Sequence, residues 1–158
     1  DLRQLVLEQE YMDFLHETLL DQFYPGEEFR FTLPGQYDKV LQHISVHRWF
    51  MGEKLKHPIT DEEAVKGWYK DVYQPLLRII QKHKILDNFP HRTPMDLYLW
   101  ILEHRWYLAE EQHRRVSLES AALHFTQQFS KRPFRHISQG WRWIVKKIGR
   151  WFKKDNRL

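Results

Sequence analysis

Thr60-Asp61-Glu62-Glu63-Ala64-Val65-Lys66-Gly67-Trp68-Tyr69-Lys70-Asp71-Val72-Tyr73-Gln74-Pro75-Leu76-Leu77-Arg78-Ile79-Ile80 is the stretch whose reading decides the fold. Thr60 and Glu63 have the spacing of a capping box, in which the hydroxyl accepts an amide three residues on and the carboxylate reaches back to the cap amide. Val65, Trp68, Tyr69, Val72, Tyr73, Leu76, Leu77 and Ile80 then recur at helical intervals and make one broad apolar face. Pro75 interrupts it, because it has no amide for the Asp71 carbonyl, and an interior proline costs about 3 kcal/mol or more. The stretch predicts a helix that kinks near residues 71–74 or divides into two shorter ones.

Working outward, the same periodicity continues on both sides. Leu5, Met12, Leu15, Leu19 and Phe23 predict a first helix over 5–23, stopped by Pro25-Gly26. Phe29, Phe31 and Leu33 alternate with polar residues, which reads as an extended arm too short for a sheet. Pro34 suits the first turn of a second helix carrying Tyr37, Val40, Leu41, Ile44, His47, Phe50 and Met51, with Gly52 as its stop. Beyond the opening stretch, Thr93 caps a fourth helix that runs to about Gln112, with Pro94 in its first turn and Asp96 at the positive end of its dipole. Ser117 caps a fifth, with Leu118, Ala121, Ala122, Phe125 and Phe129 on its face, and Pro133 breaks the chain after it. Ser138 caps a sixth over 139–153. The expected class is all-α: a single helical bundle of five to seven helices, with a bundle domain over 1–133 and a basic amphipathic C-terminal helix over 134–158 packed on it.

Composition agrees with one folded domain. Of 158 residues, 42% are apolar and 29% charged, and only 13 are Gly or Pro, which excludes wholesale disorder and fibrous repeats. No apolar run is long enough to span a bilayer. With no cysteine there is no disulfide, thiolate nucleophile or thiolate zinc site, and a cytoplasmic location is expected. The chain opens on Asp1 rather than Met, and further sequence upstream is expected.

Charge is divided unevenly. Residues 1–130 hold 15 Lys/Arg against 20 Asp/Glu, a net −5, whereas residues 131–158 hold 10 against one, a net +9. Within that basic end, Trp141, Ile144, Val145, Ile148, Trp151 and Phe152 form a helical stripe, with Arg142, Lys146, Lys147, Arg150, Lys153 and Lys154 largely off it. Three uses compete for such a basic amphipathic helix. Its apolar face can close the bundle, its cations can rest on nucleic acid, or it can lie in an anionic membrane interface.

Candidates for chemistry are sparser. His43 and His47 share the i, i+4 spacing that can begin a metal site, with His91, Glu103 or His104 as further ligands, but no Glu follows the first His as a zinc-protease helix requires. The competing reading is that these histidines pair or half-bury on amphipathic faces. His91, Arg92 and Thr93 lie at a helix N-terminus, where free amides, the dipole and a forked guanidinium together suit a phosphate or carboxylate. The alternative there is that Arg92 pairs with Asp96, Asp87 or Glu103 and fixes the loop. Asp96 and Glu103 are about two turns apart, some 10 Å, too far to serve as an obvious acid–base pair. No nucleophile elbow or Gly-rich phosphate loop is present, and no catalytic residue or cofactor is expected.

Pro34-Gly35-Gln36-Tyr37, His43-Ile44, His47-Arg48, Glu63-Ala64-Val65, Trp68-Tyr69, Val72-Tyr73, Pro75, Ile85-Leu86, Phe89-Pro90, Arg92-Thr93 and Asp96-Leu97-Tyr98-Leu99-Trp100 together carry a resemblance. This pattern resembles the helical region that follows a ParB/sulfiredoxin-like domain in a family of bacterial proteins. Leu102-Glu103-His104-Arg105-Trp106-Tyr107-Leu108 also resembles part of a bacterial domain of unknown function sometimes attached to kinase-like domains. The resemblance covers roughly residues 5–110 and implies a ParB-like neighbour before Asp1; it brings no catalytic residues with it. The combined expectation is a non-catalytic interaction or regulatory domain that is not transmembrane and contacts nucleic acid or another polyanion through its C-terminal helix. Two alternatives stand beside it: a metal- or phosphate-dependent hydrolase with a His/Arg pocket between the second and fourth helices, and peripheral membrane binding by the C-terminal helix.

Overall fold

The computed structural model describes residues 1–130, and the expected C-terminal helix lies outside them. Among the described residues every regular element is helical, so the chain is all-α. By its contacts the chain forms two compact units, Asp1–Tyr98 and a second from Leu99 onward. The boundary falls inside a helix.

In the first unit, α1 spans Leu2–Thr18, and Asp1 opens it by accepting the Arg3 amide. The expected single helix to Phe23 is divided: Leu19 turns left-handed at φ 57°, and a short α2, Leu20–Phe23, follows. The Thr18 hydroxyl bonds back to the Phe14 carbonyl at 2.8 Å, a habit of threonine that competes with regular helix. A left-handed leucine costs about 1–2 kcal/mol. Complete burial of Leu20, at roughly 1.5–3 kcal/mol, offsets it.

The arm after α2 forms no regular element and no sheet. Phe29 and Phe31 are buried, and their amides are sealed by tyrosine hydroxyls: Phe29 donates to Tyr11 at 3.3 Å and Phe31 to Tyr37 at 3.1 Å. Gly35 at φ 76° makes the turn into α3, Tyr37–Leu55. This helix passes through Gly52, where a stop was expected, because the Gly52 carbonyl accepts the Lys56 amide and Lys56 itself takes the left-handed position that ends the helix.

The capping box is formed: the Glu63 amide donates to Thr60 Oγ1 at 3.2 Å and the Thr60 amide to Glu63 Oε2 at 2.8 Å. It opens α4, Asp61–Trp68, which packs on α3. The approach is close at Gly67, where a Cβ would stand 2.5 Å from Met51 Sδ. The expected kink at Pro75 takes the form of a π-helical turn over Tyr69–Tyr73, leading directly into α5, Gln74–Lys82. A wider turn drops the i→i+4 bond that Pro75 could not donate and leaves the proline in the first turn of α5, where a missing amide is harmless.

A 3₁₀ turn, Ile85–Asn88, leads to α6, Pro94–Gln112. Met95 through Ile101 are all buried. In the first unit Trp68 lies at the centre of an aromatic group, stacked on Tyr73 with ring centroids 5.3 Å apart and edge-on to Tyr98. In the second unit α7, Leu118–Phe129, is capped by Ser117 as expected. Leu108, Val116 and Ala121 form a core there, and the Arg105 guanidinium closes the α6–α7 loop by donating to the Val116 carbonyl at 2.8 Å. Among the described residues no helix is long and apolar enough to cross a membrane.

Candidate functional site

The N-terminus of α6 is built from two distant pieces of chain. Thr93 caps it, its hydroxyl accepting the Asp96 amide at 3.2 Å and donating to the Arg30 carbonyl at 2.6 Å. Asp96 is only 1% exposed and its carboxylate accepts three hydrogen bonds. They come from the Thr32 amide at 3.1 Å, the Thr32 hydroxyl at 2.7 Å and the Thr93 amide at 3.0 Å. Arg92 Nη1 donates to the Thr32 hydroxyl at 2.8 Å. His91 precedes this pair with φ 67°, a left-handed conformation that turns the chain into the cap. Thr93 and Arg92 therefore join one network as the sequence placed them, and the carboxylate at the positive helix end is the chain's own Asp96. Chemically the arrangement is a clasp: it ties the arm to α6 and satisfies amides that would otherwise need water or a ligand.

His43 and His47 stand one turn apart on α3 and turn to different partners. The Trp68 indole N–H, which can only donate, gives its proton to the Tyr98 hydroxyl at 2.9 Å. The hydroxyl has one proton of its own, and His43 Nδ1 lies 2.7 Å away. Full pairing assigns that proton to Tyr98, so Nδ1 accepts and His43 is the neutral Nε2–H tautomer. Burial, then the Lys39 charge, push the His43 pKa down to about 4, and burial pushes the Tyr98 phenol far above its ordinary value. His47 Nε2 instead faces Asp71 Oδ2 at 3.3 Å, bringing the π turn of residues 69–73 onto α3.

His104, in the second unit, pairs with His124 of α7. Its Nε2 lies 2.7 Å from His124 Nδ1, with the rings nearly coplanar at 19° and their centroids 5.0 Å apart. Nitrogens this close, on rings aligned nearly end to end, share one proton, one ring donating and the other accepting. Burial, then the neighbouring His124, push the His104 pKa down to about 4. Among the described residues no group of three or more His, Asp or Glu side chains is arranged to hold a metal ion. Arg142, Lys146, Lys147, Arg150, Lys153 and Lys154 lie outside the described residues.

Three partners were not singled out from the sequence: Thr32, Tyr98 and His124. Only Tyr98 left a signal, since a tyrosine in an unbroken apolar run must find a partner for its hydroxyl once buried. Residues 60–129 match the model of a family described as a domain of unknown function (DUF4032), a span that opens at the α4 cap and closes at the end of α7. No curated protein and no solved structure matches the chain.

Proposed function

We propose that the chain is a non-catalytic helical interaction or regulatory domain, accessory to a ParB-like neighbour in the cytoplasm, that contacts nucleic acid through its basic C-terminal segment. The observation that carries this reading is the charge division, a net +9 in residues 131–158 after a net −5 in residues 1–130. Clustered Lys and Arg interleaved with Trp and Phe offer both phosphate neutralisation and stacking surfaces. The partners of His43, His47, Arg92 and Thr93 support a binding role over a hydrolytic one, because these side chains hold one part of the chain to another.

Titrating the protein with duplex DNA, RNA and anionic vesicles at a series of salt concentrations tests the proposal. Five phosphate contacts on duplex DNA give a slope of log affinity on log salt of roughly −4.5. Replacing Lys146, Lys147 and Arg150 by glutamine then flattens that slope by about 2.7. Binding to vesicles alone would move the assignment to a membrane surface. Binding to none of the three would overturn it.

A further inference from the structure

α1 buries Tyr11, Phe14, Leu15 and Thr18, and its opposite face stays open. Along that face Leu2, Leu5, Gln9, Met12 and His16 recur at steps of three and four, the spacing of a coiled-coil seam. Leu2 is 78%, Leu5 67% and Met12 54% exposed, so the seam meets solvent. Glu10, Asp13 and Glu17 each follow a seam residue, and this acidic row lines a groove of about 140 Å³ with Asp38 of α3. Residues 1–23 hold one Arg against six Asp and Glu, a net −5, which matches the whole net charge of residues 1–130.

Such a seam is one half of a two-stranded helix pair. A second α1 is a poor other half, because it brings carboxylates against carboxylates. The chain's own sequence holds the complement, outside the described residues. Trp141, Ile144, Ile148 and Trp151 recur at the same steps of three and four, and Lys147, Arg150 and Lys154 each fall one residue before a step of that row. The acidic row follows its seam and the basic row precedes its own, so the two meet when the helices run parallel, as e and g positions do. We propose that α1 is the docking surface for residues 141–154 of a second copy, laid along it in parallel, each copy of a two-fold dimer giving its basic segment and receiving the other's. Arg142, Lys146 and Lys153 belong to neither row, so the docked segment keeps cations for a polyanion, and the dimer stands or falls apart from the nucleic-acid reading.

Sedimentation velocity of the full chain over a range of concentrations tests the proposal. The expected result is a dimer that rising salt weakens, because the paired rows lie at a solvated rim. Leu5→Gln weakens it roughly tenfold for each of the two seams, and Ile148→Gln does the same. Leu5 is exposed, so its substitution leaves the circular dichroism unchanged. Exchanging the charges separates a second copy from every other occupant. Asp13→Lys with Glu17→Lys gives a chain whose α1 and C-terminal segment are both basic, and Lys147→Glu with Arg150→Glu gives one in which both are acidic. Each double variant alone is monomeric. Mixed, they dimerise, since each α1 then meets a segment of opposite charge. A monomer at every concentration, a dimer that Leu5→Gln leaves intact, a dimer that salt fails to weaken, or a mixture that stays monomeric overturns the proposal.

Discussion

Asp96 and His104 lie on the same helix, both polar and both nearly sealed from solvent at 1% and 7% exposure, yet they are accommodated in opposite ways. Asp96 sits in the first turn of α6 and is surrounded by donors that titrate with nothing: two amides and a hydroxyl. His104 meets another imidazole, and the pair has one proton between its facing nitrogens. A buried acceptor ringed by two amides and a hydroxyl makes a tie of three hydrogen bonds. A buried imidazole whose pKa burial pushes down to about 4 makes a tie that depends on pH.

The contrast can be broken by mutation. The largest effect is expected from Asp96→Ala, which leaves the Thr32 and Thr93 amides without acceptors and costs about 3 kcal/mol or more. Asp96→Asn keeps one acceptor oxygen and costs less, so the two denaturation midpoints should fall in the order wild type, Asn, Ala. Equal midpoints for Ala and wild type would show that the clasp does not hold the arm. Next comes Tyr98→Phe, which strands the Trp68 indole and His43 Nδ1 together and costs about 2–3 kcal/mol in urea unfolding.

Acid sharpens the comparison further. His43 and His104 are held down to about 4 in the folded chain against an ordinary 6.5, so the unfolded chain takes up protons first as pH falls. Their contribution is complete above about pH 6.5 and is lost between there and pH 4, by about 3 kcal/mol for each group. His104→Gln should flatten that fall in stability, and a wild-type profile already flat across the window would remove the reading. The smallest effect is expected at a purely local device: Thr60→Ala opens the capping box and costs about 1 kcal/mol, read as a modest drop in melting temperature.

What could be read in the sequence follows the range of the physics. The starts of α4, α6 and α7 were legible because Thr60, Thr93 and Ser117 act on amides three residues away. Helix ends were less so. The left-handed caps fell to Leu19 and Lys56, residues with no preference for that conformation that spacing could have flagged. The site divides in the same way. His91, Arg92 and Thr93 announced a helix N-terminus, but Thr32, which fills it, lies 64 residues from Asp96. Tyr98 reaches His43 across 55 residues and Trp68 across 30, separations over which pattern and spacing carry no information. The π turn was foreshadowed by Pro75 only as a disturbance; its form depends on how Trp68, Tyr73 and Tyr98 pack together.

The arm through Phe29 and Phe31 has the alternating pattern of a segment that would add itself to a neighbouring molecule's sheet. Successive polypeptide chains grow onto such an edge by claiming its outstretched N–H groups. Here those of Phe29, Phe31 and Thr32 are already taken by two phenols and a carboxylate of the same chain. The side chains that anchor the arm thus also guard it against self-assembly, and weakening them would be felt in solubility as well as in folding.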